Sequence, residues 1–336
     1  MDMHIVGARP NFMKAAPVVS ALGEQGQRPM LVHTGQHYDE AMSDIFFEQL
    51  GMPEPDRNLG VGSGSHARQT AALMISIEAL LQEVRPRRIV VYGDINSTLA
   101  AAVVAAKLHV PVGHVEAGLR SFDREMPEEI NRVVTDALAD LHFTTSPEAA
   151  EHLGREGVSG EGIHFVGNPM IDTLLNFREA LDSEQARKSF GLPERYVATL
   201  HRPSNVDVEA AAANVVEGLR RVARKIPIIL PLHPRERAEL VRHGLMDIDS
   251  ITVVEPVGYL DFMALLTGSA LVLTDSGGIQ EESETEWMNR AYQPAIERGL
   301  SAEWAGEISK RIEARLGWMN ATDRTAAESW DRPKNS

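Results

Sequence analysis

The sequence predicts an α/β protein of two doubly wound lobes, and three observations predict it. The chain has 336 residues, enough for about two domains at roughly 150 residues each. Hydrophobic residues make up 43% and charged residues 24%, the balance of a chain that can bury a core. Short apolar runs alternate with amphipathic stretches of helical period, and the alternation restarts after a break.

In the first half the strand candidates are residues 4–6, 30–32, 89–92, 112–115 and 141–143. Being apolar on both faces, they suit a parallel sheet covered by helices on each side. Helices fill the intervals, among them residues 67–83, where Ala71, Met74, Ile75 and Leu81 recur near one face. A break follows at Asn168-Pro169 and the charged stretch 178–187. Strand candidates then recur at 196–200, 228–230, 251–254 and 271–274, with a helix over 207–224. The expected divisions are a first lobe over 1–168, a second over 169–282 and an atypical tail over 283–336. In open α/β sheets ligands sit beyond the carboxyl ends of the strands, so the residues just after each strand are the functional candidates.

Composition removes several function classes. Cysteine is absent, which excludes a disulfide scaffold, a thiolate metal site and a cysteine nucleophile. No apolar run reaches the roughly 18 residues of a membrane span, and Met1-Asp2-Met3-His4 is no signal-peptide start. A cytoplasmic, soluble protein is expected. The 33 basic and 48 acidic residues give a net charge of −15, a field that repels a polyanion and argues against nucleic acid as partner. Neither the dinucleotide-binding glycine fingerprint nor a Walker A loop nor a His-Glu-x-x-His pair is present. The run Gly60 to Ser65 lacks a preceding strand and reads as a loop, with Ser65 starting the next helix.

After the first strand comes Gly7-Ala8-Arg9-Pro10-Asn11-Phe12-Met13-Lys14. Pro10 suits a first helical turn, and Arg9 and Lys14 would bracket an N-terminus able to take a phosphate; a solvated turn is the alternative. The third strand ends at Gly93-Asp94, where Asp94 either caps a helix or does chemistry. The fourth ends in His114-Val115-Glu116, a carboxylate that needs a partner, with Arg120 the expected one. Glu128 and Glu129 open a helix, favoured there by the helix dipole. In the second half His201 and His233 each follow a strand, and either could be an ordinary structural histidine. Asp275-Ser276-Gly277-Gly278 then leads into a helix, the composition of a phosphate cradle, with Glu281 or Glu282 placed to meet ribose hydroxyls.

Taken in order, these motifs resemble the non-hydrolysing UDP-N-acetylglucosamine 2-epimerases. The resemblance rests on Gly-Ala-Arg-Pro-Asn-Phe-Met-Lys at 7–14, Thr-Gly-Gln-His at 34–37, Gly-Asp-Ile-Asn-Ser-Thr at 93–98 and His-Val-Glu-Ala-Gly-Leu-Arg at 114–120. It continues with Pro-Glu-Glu-Ile-Asn-Arg at 127–132, Gly-Asn-Pro at 167–169, Leu-His-Arg-Pro-Ser-Asn at 200–205 and Asp-Ser-Gly-Gly-Ile-Gln-Glu-Glu at 275–282. It implies two Rossmann-like lobes of the glycosyltransferase type B kind around a nucleotide-sugar cleft. The implied isomerase activity interconverts UDP-N-acetylglucosamine and UDP-N-acetylmannosamine by UDP elimination and re-addition, for surface polysaccharide. By resemblance Asp94, Glu116 and Glu128 are the acid/base candidates, and His201 assists at the diphosphate. Arg9, Lys14, His37, Arg120, Arg132, His233, Phe262, Ser276, Gly277, Gly278 and Glu282 are similar to substrate-binding positions. No metal and no redox cofactor is implied, and a homodimer is.

Beyond Glu282 the resemblance stops. The family would continue into a further strand and a Thr-Glu-Arg-Pro-Glu loop, whereas the chain reads Ser283-Glu284-Thr285-Glu286-Trp287. All four tryptophans lie in this tail, at 287, 304, 318 and 330. A helix is expected over 301–316 and a polar, frayed end from 320 to 336. A replaced C-terminus or a divergent one would leave the second lobe short of a strand and of an arginine, impairing activity. The rival readings are an inactive UDP-sugar-binding protein, and a glycosyltransferase or hydrolysing epimerase of the same fold.

Overall fold

The computed structural model describes residues 1–35, 47, 49–194, 196–200, 209–232, 234–255 and 257–274. Two compact units emerge, one built on Met1–Gly191 and the other on Leu192–Leu230 with Pro234–Val253.

The first unit contains a seven-stranded parallel sheet. Its strands are β1 (Asp2–Val6), β2 (Met30–His33), β3 (Arg57–Asn58), β4 (Arg88–Tyr92), β5 (Val112–Ala117), β6 (Leu141–Thr144) and β7 (Ile163–Phe165). They lie in the order β3-β2-β1-β4-β5-β6-β7. The order reverses between β1 and β4, which pair in parallel with Met3 opposite Ile89 and Ile5 opposite Val91. A reversal of this kind opens a crevice at the carboxyl ends of the two strands, the usual ligand position in such sheets. The five strands expected from apolar runs are all present. The edge strands β3 and β7 went unread because they are short and largely exposed, so no apolar run marks them.

Helices cover both faces. They are α1 (Arg9–Glu24), α2 (His66–Val84), α3 (Asn96–Lys107), α4 (Pro127–Leu138), α5 (Pro147–Arg155) and α6 (Pro169–Phe177). Ser65 is the N-cap of α2 and its hydroxyl accepts from the Arg68 N–H at 3.5 Å, as the loop reading of the glycine-rich run expects. On α3 the residues Ala100, Ala101, Ala102 and Ala105 are fully buried. Their small side chains let the helix lie close to the sheet, within a core that includes Met3, Ile5, Val32, Leu73, Ile77, Ile89 and Val91. The Asn168-Pro169 break is a helix start: the Asn168 carboxamide oxygen accepts from the Met170 N–H at 2.9 Å. The new helix, α6, packs on α1, and the Thr173 hydroxyl donates to the Met13 carbonyl at 2.6 Å.

The second unit carries a four-stranded sheet of β8 (Val197–Leu200), β9 (Ile228–Pro231), β10 (Ile251–Val254) and β11 (Leu271–Thr274), ordered β10-β9-β8-β11. Its parallel pairs place Leu271 opposite Val197 and Val197 opposite Ile228. Helices α8 (Glu209–Ala223) and α9 (Pro234–Arg242) of this unit pack on one another, whereas α7 (Ser183–Ser189) belongs to the first unit and α10 (Tyr259–Gly268) runs from the first unit into the second. The protein is thus α/β with two Rossmann-like sheets, the class read from the sequence. His37, His201, His233, Ser276, Gly277, Gly278 and Glu282, with the tail helix expected over 301–316, lie outside the described residues.

Candidate active site

The carboxyl ends of β1, β4 and β5 deliver Lys14, Asp94 and Glu116 to one place. Strand β5 pairs regularly with β6 until a register shift between Val115 and Ala117. Glu116 sits in that bulge with φ at +73°, in the left-handed region that side chains other than glycine rarely adopt. A bulge re-aims one side chain, and here it turns Glu116 to an ion pair with the Lys14 ammonium. Both side chains are largely buried, with 8% of Lys14 and 17% of Glu116 exposed. This corrects the pairing expected from the sequence, in which Arg120 was the partner of Glu116. Lys14 reaches in from the second turn of α1, a helix whose first turn holds no acidic residue and whose N-cap, Ala8, makes no side-chain bond. A helix dipole end without a carboxylate in its first turn favours an anion.

The floor between these groups is the β4 terminus. The Tyr92 carbonyl accepts from the Asn11 amide and from the Thr98 hydroxyl, each at 2.8 Å. The chain then turns at Gly93, whose φ is +61°. A Cβ there would stand 2.9 Å from the Lys14 Nζ and 3.1 Å from Glu116 Oε2, so any residue but glycine would displace the ion pair. The Gly93 N–H donates to the Val115 carbonyl at 3.0 Å. Next in sequence, Asp94 accepts from the Arg132 guanidinium at 2.5 Å with 31% of its side chain exposed.

Arg132 comes from α4, where Pro127 and the acidic pair Glu128 and Glu129 form the first turn. Glu129, and not Glu128, anchors it, accepting from Arg132 Nη2 at 2.7 Å and from Nε at 3.1 Å. Glu129 also accepts from the Ser121 and Phe122 N–H groups at 2.9 and 3.1 Å and from the Ser121 hydroxyl at 3.0 Å. Burial acts to raise its pKa, but the Ser121 bonds and the Arg132 charge overcome it and hold the carboxyl below the usual range. Glu128 is half-buried and takes no part in this network. One turn on, the Asn131 amide donates to the Asp94 carbonyl at 2.7 Å. Asn131, Asn11 and Thr98 were not singled out from the sequence, and Glu129 was read only as a first-turn acid favoured by the helix dipole. Their signal was present, in polar residues at helix starts next to strand ends, but an amide or hydroxyl at a helix start is ordinarily a cap.

Arg120 has another task. Its side chain is 1% exposed and pairs with Asp136 at 2.7 Å and Glu156 at 2.6 Å, so it could reach a ligand only after leaving both carboxylates. Phe262 lies on α10, 8% exposed. Arg9 opens α1, its side chain outside the described residues. Among the described residues no cluster of His, Asp and Glu could hold a metal ion, and no helix is long and apolar enough to cross a membrane.

Two carboxylates on adjacent strand ends, each set against one cation, can take a proton from one face of a bound molecule and return one to another. The neighbouring ammonium and helix N-terminus suit a departing or arriving phosphate. Residues 21–286 match the family model described as UDP-N-acetylglucosamine 2-epimerase. A Pseudomonas aeruginosa protein named UDP-2,3-diacetamido-2,3-dideoxy-D-glucuronate 2-epimerase is 43% identical over 303 residues, 84% of either chain. The UDP-N-acetylglucosamine 2-epimerase of Methanocaldococcus jannaschii is 43% identical over 290 residues, 83% of this chain and 79% of its own. A crystal structure of UDP-GlcNAc 2-epimerase from that organism, in complex with UDP-GlcNAc and UDP, superposes with a TM-score of 0.76 at 42% identity, covering 84% of this chain and 81% of its own.

Proposed function

This chain belongs to the UDP-N-acetylglucosamine 2-epimerase family, and on that premise we propose that it interconverts UDP-N-acetylglucosamine and UDP-N-acetylmannosamine. The observation that carries the reading is the paired arrangement of Glu116 with Lys14 and Asp94 with Arg132 at adjacent strand ends. Inverting C2 of such a sugar requires breaking an unactivated C–H bond. The barrier falls if the C1–O bond to UDP breaks as the C2 proton leaves, giving 2-acetamidoglucal and UDP. UDP then re-adds to C1 while a proton is delivered to the other face of C2, so atoms balance and no oxidant is consumed. Glu116, Asp94 and Glu128 are the groups proposed to take and return the proton. Lys14 and the α1 N-terminus, with Arg9, stabilise the charge that builds on the diphosphate. Arg132 pairs with Asp94 and aims it. His37, Arg120, Phe262 and, from the second lobe, His201, His233, Ser276, Gly277, Gly278 and Glu282 complete the proposed nucleotide-sugar contacts.

The proposed divisions are a lobe over 1–168 carrying the acid/base groups, a nucleotide-binding lobe over 169–282 and a distinct tail beyond. A cytoplasmic homodimer making precursors for surface polysaccharide completes the proposal, with light scattering on the purified protein as the test of its oligomeric state. The Pseudomonas relative, as similar as the archaeal one, supports a second substrate reading: the same inversion on a UDP sugar bearing a second acetamido group and a carboxylate.

Both substrates should be incubated with enzyme in D₂O and examined for deuterium at C2. Exchange and a new epimer with UDP-N-acetylglucosamine are expected, and exchange with the glucuronate alone would transfer the assignment. With neither substrate exchanged by folded protein, the epimerase reading falls. Glu116→Gln should lower exchange by roughly 10²–10⁴-fold, the scale of a lost acid–base group.

A further inference from the structure

One buried charged cluster lies directly beneath the site, and of its members only Arg120 has a part in the contacts proposed above. His114, on β5 two residues before Glu116, is fully buried. Its Nδ1 meets Asp136 Oδ1 at 2.6 Å and its Nε2 meets the Gly93 carbonyl at 2.8 Å. A carbonyl only accepts, so Nε2 carries a proton. The bond from Nδ1 then needs a second proton, on the ring or on Asp136. Asp136 also accepts from the Gly118 N–H at 3.0 Å and faces the Arg120 guanidinium at 2.7 Å. Three donors converge on it, Gly118 and Arg120 at Oδ2 and His114 at Oδ1, an arrangement that favours a carboxylate. Burial opposes the Asp136 charge, yet His114 and Arg120 outweigh it and hold this carboxyl below its usual range.

We propose that His114 is a positioning residue of this site, an imidazolium clamped by Asp136 that grips the Gly93 carbonyl and so fixes the turn from which Asp94 projects and on which Lys14 and Glu116 pair. Both polar groups of Gly93 are thereby tied to β5, the N–H to the Val115 carbonyl and the carbonyl to His114. Arg120, through Asp136, belongs to the same clamp, which gives the Glu-Ala-Gly-Leu-Arg segment a use beyond contact with substrate. The inference rests on the reading of Asp94 and Glu116 as proton-transfer groups.

Two measurements on the full-length protein test it. In ¹⁵N-histidine-labelled enzyme at about pH 8, where an ordinary imidazole is neutral, the His114 ring should show two protonated nitrogens. The signal is assigned by its loss in His114→Gln and should become that of a neutral ring in Asp136→Asn. A neutral ring in the wild type would overturn the proposal. The second readout is C2 exchange under steady state, normalised to folded protein by circular dichroism. His114→Ala should lower kcat by roughly 10²-fold, the scale of a misplaced reacting group, with KM within about twofold. His114→Gln, whose amide can still donate towards Gly93, should recover part of that loss. A wild-type kcat in His114→Ala, or a fall in kcat and a rise in KM of equal size, would overturn the positioning role. Exchange missing from the wild-type enzyme would sink the functional reading alone, and the ring measurement would then decide the clamp by itself.

Discussion

At the site itself Gly93 is constrained twice over. Its φ of +61° and the distance of 2.9 Å from a built Cβ to the Lys14 ammonium make two separate demands, one on the backbone and one on space. Gly93→Ala should destabilise the fold by about 1–3 kcal/mol, the range for a side chain held in the left-handed region. It should also lower C2 exchange by roughly 10²-fold, because the ammonium or the carboxylate must move. Thermal unfolding and exchange measured on the same sample check both halves; full activity with lowered stability would show that the ion pair tolerates displacement. Glu116 is the complementary case, a non-glycine residue held at +73° by a bulge. Strain of this kind persists where the surroundings over-determine it, and the Lys14 pair with the β5 bonds supplies that. The sequence marked Asp94, Glu116 and Lys14 as strand-end candidates, but it paired Glu116 with Arg120. The separation of Lys14 and Glu116 by more than a hundred residues hid the true partner, and a four-residue spacing suggested the wrong one.

Among the elements, α3 shows how composition sets geometry. Its buried alanines allow the helix to approach β1, β4 and β5 and α2, so that Asn96, Ser97 and Thr98 enter the buried layer under the site. Ala101→Leu should cost about 1–3 kcal/mol through overpacking. By contrast, Ile75→Ser on α2, where the side chain is 70% exposed, should change stability by about 0.5 kcal/mol or less. Urea unfolding of the two variants checks the contrast, and an equal effect would mean that α3 does not set the spacing. Apolar periodicity located the central strands and the principal helices because burial on both faces leaves a continuous signal. It missed β3 and β7 because an exposed edge leaves none.

For the molecule as a whole, the informative variable is pH. His4 is buried against Tyr92, whose hydroxyl lies 2.6 Å from its Nδ1, and burial lowers its pKa from the ordinary 6.5 to about 4. Between those values the unfolded chain binds a proton that the native chain refuses. Stability from this group is therefore complete above pH 6.5 and lost progressively as pH falls towards 4. The loss between pH 7 and 5 should be about 2 kcal/mol, and His4→Gln, which can still accept from Tyr92, should remove most of that slope. A slope unchanged by the substitution would place the titration elsewhere. Asp136 and Glu129, held below their usual values, lose their contributions only at more acid pH. The family match ends at residue 286, so all four tryptophans fall outside it, and the count that first set the tail apart marks the edge of the matched body. By itself the sequence determined the fold class, the family and the strand ends where chemistry sits, because each is written in local patterns of burial and in contiguous motifs. Only the tertiary structure decided which cation faces which carboxylate and that His114 is gripped from both sides. Those contacts join strand ends and helices distant in the chain, and no local pattern records which of several like charges a fold will bring together.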